Sequence, residues 1–114
     1  MPRLAVSLNQ EAYDLPSIPI NFSASGVNLV IAGIAGQIIR VFRMIVVVGG
    51  STSLTFQNGS SSLTGPIPLA TNEAIVLTLD TAPWFLMSLG NPWQINSSNA
   101  VQVSGAAYYT QTQA

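Results

Sequence analysis

Residues 38–48 read Ile-Ile-Arg-Val-Phe-Arg-Met-Ile-Val-Val-Val, a stretch rich in the β-branched residues that favour a strand. Its apolar residues do not alternate with polar ones, and Arg40 and Arg43 stand at positions of opposite parity. A regular strand would point the two arginines to opposite faces. The stretch is therefore either bulged between Arg40 and Arg43 or buried on both faces, in which case a second subunit covers the outer one. The simpler alternative is a central strand whose outer face is exposed and apolar.

Short apolar runs alternate with Gly, Ser and Asn clusters on both sides of this stretch, which is typical of an all-β domain. We expect strands at residues 20–23, 27–32, 38–48, 53–57, 67–69, 73–79, 85–88 and 101–110. The clearest hairpin signal is Asn58-Gly59 after the alternating residues 54–57. The sequence predicts a small antiparallel β-sandwich of seven to eight strands, jelly-roll-like, although an immunoglobulin-like order has the same number of short strands.

The first 19 residues differ from the rest in composition. They hold three of the seven charges, and prolines at positions 2, 16 and 19 exclude regular helix or a central strand. We interpret residues 1–19 as an extended N-terminal arm and residues 20–114 as the β-sandwich domain. The arm is either solvated or lies across a neighbouring subunit.

The composition removes most catalytic chemistry. The 114 residues include no Cys, no His and no Lys, so the usual nucleophile and base pairs are missing. Glu73 and Asp80 are seven positions apart on one expected strand and therefore face opposite ways. Glu11 and Asp14 fall in the arm, where a solvated role is expected. We predict no enzyme, no metal site and no cofactor.

Charge is sparse, at 6% of residues, and the net charge is −1 with three arginines. Three arginines do not form the basic patch that nucleic acid requires. Polar residues and glycines interrupt the most apolar region, residues 27–50, so no membrane span is expected. The first residues do not resemble a secretory signal, which predicts synthesis in a cytoplasm. A 12.0 kDa globule exposes roughly 6000 Å². So few charges on that area indicate a surface that a partner covers.

An aromatic segment stands out near the end of the expected sandwich. Trp84 follows Pro83, and Trp93 follows Pro92. These tryptophans either close the end of the sandwich, anchor a protein interface or stack on a sugar. In the sugar hypothesis the stacking residues are Trp84, Trp93, Tyr108 and Tyr109, with Gln94, Asn96 and Asn99 beside them.

Three segments resemble small phage structural proteins. The first runs from Ser25-Gly26 through Asn28-Leu29-Val30 and Gly36 to Ile39-Arg40-Val41. The second joins Ser53-Leu54-Thr55-Phe56 to residues 63–69, and the third is Ala100-Val101-Gln102-Val103-Ser104-Gly105 with Tyr108. Together they cover residues 21–109 and are similar to phage head decoration, or cement, proteins.

The resemblance implies a β-sandwich or jelly roll that forms a homotrimer and ties capsid subunits together on the outside of the virion, made in the host cytoplasm. The implied partners are other copies of the chain and the major capsid protein or another virion protein. We expect the interface at Arg40, Phe42, Arg43, Trp84, Phe85, Trp93, Leu15 and Ile18. The alternative is a carbohydrate- or receptor-binding module of a tail fibre or spike.

Overall fold

The computed structural model describes residues 15–113, and ten β-strands account for most of them. These residues form no helix, and their strands make two antiparallel sheets that pack on each other. The strands are β1 (Ser17–Phe22), β2 (Gly26–Ile31), β3 (Gln37–Val48), β4 (Thr52–Asn58), β5 (Ser61–Ser62), β6 (Ile67–Leu69), β7 (Ala74–Leu77), β8 (Phe85–Leu86), β9 (Trp93–Ser97) and β10 (Val103–Gln113). The predicted all-β sandwich is confirmed.

The strand order is that of a jelly roll. The first sheet has the order β1-β10-β3-β7, with β8 also on β3, and the second has the order β2-β9-β4-β5, with β6 on β4. Pairing is nested along the chain: β1 with β10, β2 with β9, β3 with β7 and β8, and β4 with β6. One long hairpin is in effect rolled into a sandwich, which separates this fold from the immunoglobulin-like alternative.

Strand β3 carries a β-bulge at Phe42. Tyr108 of β10 lies opposite Arg43, but the next residue, Tyr109, lies opposite Val41, so Phe42 has no partner in β10. Of the alternatives that the sequence left open for this stretch, the bulge between residues 40 and 43 is therefore present. It shifts the alternation of β3 by one residue.

Because of this shift, every inward-facing position of β3 is occupied by an apolar residue. The buried residues of the strand are Ile39 and Val41 before the bulge and Met44, Val46 and Val48 after it. Arg40 and Arg43 both come to the outer face, despite their opposite parity. Without the bulge, one of the two guanidinium groups would enter the core, where an unpaired charge costs several kcal/mol.

The domain begins earlier than the sequence predicts. Strand β1 starts at Ser17, three residues before the expected boundary, and it contains Pro19. Pro19 pairs with Ala106 on one side only, because β1 is the edge strand of its sheet. Proline is tolerated at an edge because it removes no required ladder hydrogen bond. The part of the expected arm at residues 1–14 lies outside the described residues.

Strand β9 and the turn after β4 also differ from expectation. Strand β9, Trp93–Ser97, was not predicted, because Pro92 and the polar residues around it have the composition of a loop. The expected hairpin at Asn58-Gly59 is present, with its turn one residue later. Asn58 is the last residue of β4 and pairs with Ser61, while Gly59 adopts a positive φ of 59°.

Gly105 provides a test of the pairing between β10 and β3. A Cβ atom at this position would collide with the carbonyl oxygen of Ile45 on β3, which is backbone and cannot move aside easily. We expect Gly105→Ala to lower the free energy of unfolding by at least about 2 kcal/mol, the usual range for overpacking. Urea denaturation followed by circular dichroism measures it.

Gly65→Ala is the matched control, because a Cβ at Gly65 meets no atom within 4 Å. A surface change of this kind alters stability by no more than about 0.5 kcal/mol. Equal effects of the two substitutions would contradict the assignment of Gly105 to a close contact between strands.

Candidate functional site

The outer surface of the first sheet exposes apolar side chains to solvent; we call it the first outer face. Cross-strand register places Pro19, Ala106, Ile45 and Val76 in one row across β1, β10, β3 and β7. Ile45 is 47% exposed and Val76 is 58% exposed. In the adjacent row, Val47 and Ala74 continue the apolar surface on β3 and β7. Exposed apolar rows of this kind indicate an interaction surface.

Both arginines of the described residues lie on this face. The Arg43 guanidinium sits 5.3 Å from the centroid of the Tyr108 ring, directly across the strand pair. Nη1 of Arg40 donates a hydrogen bond to Oγ1 of Thr112 at 3.3 Å. A cation–π contact holds the Arg43 side chain over the ring at an exposed site. The face is therefore apolar and carries two positive charges.

The two carboxylates of the described residues are engaged in local turns. Oε1 of Glu73 accepts a hydrogen bond from the backbone N–H of Ala70 at 2.6 Å. Oδ1 of Asp80 accepts one from the backbone N–H of Thr81 at 2.7 Å. Their hydrogen-bonding role is thus to hold the turns before and after β7.

Trp84 extends the apolar surface beside β8. Its backbone N–H donates to the carbonyl of Val41 at 2.8 Å, and its indole Nε1 donates to the carbonyl of Thr78 at 2.7 Å. The residue is 46% exposed even though both of its N–H donors have partners. Leu86, also exposed, lies opposite Arg40 in the same region. Trp84 is therefore a partly exposed aromatic residue that two hydrogen bonds hold in place.

Trp93 is a core residue, contrary to the expectation that it contacts a partner. It is 0% exposed, stacks on Phe56 with 6.1 Å between ring centroids, and packs at a tilt against Phe85 with 5.9 Å between ring centroids. Phe56 and Phe85 stack at 5.0 Å. Phe85 thus belongs to the aromatic cluster that joins the two sheets. The Trp93 side chain is not accessible to a partner in the folded chain.

The remaining expected interface residues differ in exposure. Phe42, at the bulge of β3, is half-buried. Ile18 of β1 is half-buried and packs against the core. Leu15 is half-buried just before β1 begins. The structure thus brings Arg40, Phe42, Arg43 and Trp84 to the region of β3 and β8, and it assigns Ile18 to packing of the core.

The aromatic residues expected for sugar binding do not share one rim. Trp93 is buried, and Tyr109 packs inward against the core. Tyr108 lies on the outer face with Arg43 over its ring. Trp84 alone of the four presents an exposed ring without a cation over it in the described structure.

The outer face of the second sheet has a different chemistry. Gln57 of β4 lies opposite Gln94 of β9, and Thr55 lies opposite Asn96. Exposed Val27 and Leu29 occur on its edge strand, β2. Within the described residues, this face carries no charged side chain and mixes amide and hydroxyl groups with these two apolar residues, whereas the first outer face combines an apolar row with two arginines.

A shallow groove of about 480 Å³ lies at one end of the sandwich. Its lining residues are Ser51, Thr52, Ser53, Pro68, Leu69, Ala70, Glu73, Ser98 and Asn99. Oγ of Ser97 and Oγ1 of Thr52 lie 2.8 Å apart, and the backbone N–H of Asn99 donates to Oγ1 of Thr52 at 3.0 Å. These hydroxyls bond to one another and to the backbone, so their role is to tie β9 to β4.

No group of three His, Cys, Asp or Glu side chains within residues 15–113 is placed to hold a metal ion. The same part of the chain contains no helix with the length and apolar character needed to cross a membrane. Comparisons with protein-family models, with curated proteins and with solved structures found no significant match. The resemblance to phage decoration proteins therefore stays a prediction.

The two tryptophans should respond oppositely to truncation. We expect Trp93→Ala to cost about 3–5 kcal/mol of unfolding free energy, because it empties the centre of the aromatic cluster. Trp84→Ala should cost about 1 kcal/mol, mainly the indole hydrogen bond to Thr78. Urea denaturation of both variants checks this. A Trp84→Ala loss as large as that of Trp93→Ala would show that Trp84 is also structural.

Proposed function

We propose that this chain is a structural virion protein of a bacteriophage that decorates and reinforces the outside of the capsid as an oligomeric cement protein. The proposal rests on the first outer face, where an apolar row crosses the sheet from Pro19 to Val76 and is open to solvent. Only 6% of the residues are charged, so the chain has few charged groups to keep a molecule with such an exposed face soluble. An oligomer or a shell would cover it.

The size of the face agrees with an interface. A strand residue covers about 16 Å² of a sheet, so the strands of the first sheet present roughly 550 Å² per copy. Two such faces reach the roughly 1,000 Å² of total area that a specific interface needs. The resemblance implies three copies, and the number of copies remains part of the proposal.

Binding provides the mechanism of reinforcement. A protein that binds the assembled shell, and not its dissociated subunits, stabilises the shell by linkage. In this proposal the apolar row supplies most of the binding free energy through burial. Arg40 and Arg43 then select a partner that offers carboxylates or backbone carbonyls, because an unpaired buried guanidinium is costly.

The jelly-roll order supports the proposal only by analogy. Jelly rolls occur in viral capsid proteins and in lectins, and a fold by itself does not assign a function. The same analogy supports the second candidate, a carbohydrate- or receptor-binding module of a tail fibre or spike. The observation in its favour is the exposed ring of Trp84, held by the hydrogen bond to Thr78. In that case Trp84→Ala abolishes retention on a glycan array and leaves the mass in solution unchanged.

The test replaces the apolar centre of the first outer face without disturbing the sheet. Ile45 and Val76 lie opposite each other, so Ile45→Lys with Val76→Glu creates an opposite-charge pair that the sheet tolerates. We expect the double variant to be monomeric by light scattering and to lose co-sedimentation with shells that lack the protein, while the wild-type chain is oligomeric and co-sediments.

Val27→Lys with Leu29→Glu is the matched control on the second sheet, where both residues are exposed on β2. It makes the same change in charge and apolar area and should retain assembly and shell binding. Failure of the wild-type chain to co-sediment with shells that lack the protein would overturn the cement function. Loss of assembly in the control alone would move the interface to the second sheet.

A further inference from the structure

We propose that Asn58 is a site of spontaneous deamidation, and that the loop joining β8 to β9, residues 87–92, protects it until that loop opens. The reaction needs only this chain and water. It is therefore independent of the proposed function and of any partner.

The sequence Asn58-Gly59 can react with itself in a flexible chain. The backbone nitrogen of Gly59 loses its proton to solvent and attacks the side-chain carbon Cγ of Asn58. A bond forms between these two atoms, the bond from Cγ to Nδ2 breaks, and ammonia leaves with a proton returned by solvent. Water then opens the resulting cyclic imide at either carbonyl group, which gives aspartate or isoaspartate. Glycine at the second position lets the backbone approach closely, because it has no Cβ.

Hydrogen bonds to the loop hold the side chain of Asn58 in place. Nδ2 of Asn58 donates to Oγ of Ser88 at 2.9 Å. Oδ1 of Asn58 accepts from the backbone N–H of Ser88 and from Nδ2 of Asn91, each at 3.0 Å. Rotation of the amide toward the nitrogen of Gly59 must break these bonds, so the loop opposes the first step of the reaction.

The same loop engages the attacking nitrogen. The backbone N–H of Gly59 donates to the carbonyl oxygen of Pro92 at 2.9 Å. The side chain of Asn91 lies over this residue, since a Cβ atom at Gly59 would be 3.2 Å from Nδ2 of Asn91. The proton that must leave is thus held by a carbonyl group, and both reacting groups are in contact with one loop.

The loop is built to open without unfolding of the core. Its ends are fixed, because Met87 and Trp93 are buried, and the backbone N–H of Gly90 donates to the carbonyl of Gln37 at 2.8 Å. Between these ends Leu89 is 56% exposed. A segment that buries little apolar surface opens more readily than the strands around it. We infer that local opening of the loop, and not global unfolding, sets the rate of deamidation.

The two products differ in whether the loop can close again. Aspartate at position 58 retains two oxygens that accept from the N–H and hydroxyl of Ser88 and from Nδ2 of Asn91. Isoaspartate adds a methylene group to the backbone at a residue that pairs with Trp93 on one side and with Ser61 on the other. That extra atom breaks the hydrogen-bond pattern of the ladder, so the isoaspartate product keeps the loop open.

The first experiment compares the full native chain with the same chain in urea, both in mildly alkaline buffer. Peptide mapping by mass spectrometry follows loss of the Asn58 amide, and enzymatic methylation detects isoaspartate. We expect the native rate to be at least about tenfold lower, because more than one hydrogen bond must break. Equal rates would overturn the protection, and no reaction in urea would overturn the site.

The role of the loop is tested by Ser88→Ala with Asn91→Ala, which removes both side-chain partners of Asn58. We expect deamidation of the folded variant to be several-fold faster than in the wild-type chain, with Ser88→Ala alone intermediate. Ser17→Ala with Asn96→Ala is the matched control, since it removes the same groups from β1 and β9 and neither residue bonds to Asn58. An unchanged rate in the loop variant, or equal acceleration in the control, would contradict the proposal.

Gly105→Ala separates local opening from global unfolding. This substitution weakens the pairing of β10 with β3 in the first sheet, whereas Asn58 lies in the second. We expect its rate of deamidation to equal that of the wild-type chain, although urea denaturation shows a lower free energy of unfolding. A rate that rises by the same factor as the unfolding equilibrium constant would show that Asn58 reacts from the unfolded chain, which overturns control by the loop.

Discussion

The bulge at Phe42 is the constraint on which the rest of the structure depends. Strand β3 lies inside the first sheet, pairs with β10 along its length, and must bury one of its faces. Its sequence contains two arginines of opposite parity, so no regular strand keeps both out of the core. One unpaired residue removes the conflict, because the alternation before and after it can then bury apolar residues only. The same residue collects both positive charges on the outer face.

Because Arg40 and Arg43 both lie on the first outer face, the two outer surfaces of the sandwich differ in charge. The first has an exposed apolar row with Arg40 and Arg43 beside it, and the second has amide and hydroxyl pairs such as Gln57 with Gln94. Both surfaces also expose apolar side chains, Ile45 and Val76 on the first and Val27 and Leu29 on the second. The first combines its apolar row with two charges, and this difference is the physical basis for proposing assembly through the first sheet.

The tryptophans show where local sequence stops being informative. Trp84 and Trp93 both follow a proline and both look like loop residues that suit an interface. Register separates them, because β9 pairs on both sides and places Trp93 between the sheets, whereas Trp84 lies beside a two-residue strand at the outer surface. A sequence signal for Trp93 existed in the alternation of residues 93–97, but it is short and follows a proline.

The sequence by itself determined the all-β class, most of the strands, the opposite parity of Arg40 and Arg43 that a bulge can resolve, and the shortage of charge. These follow from alternation, turn residues and composition, which are local properties. The tertiary structure alone decided the jelly-roll order, the burial of Trp93 and the row from Pro19 to Val76. These depend on which distant strands pair and in what register, and pairing between residues many positions apart is set by packing of the whole core.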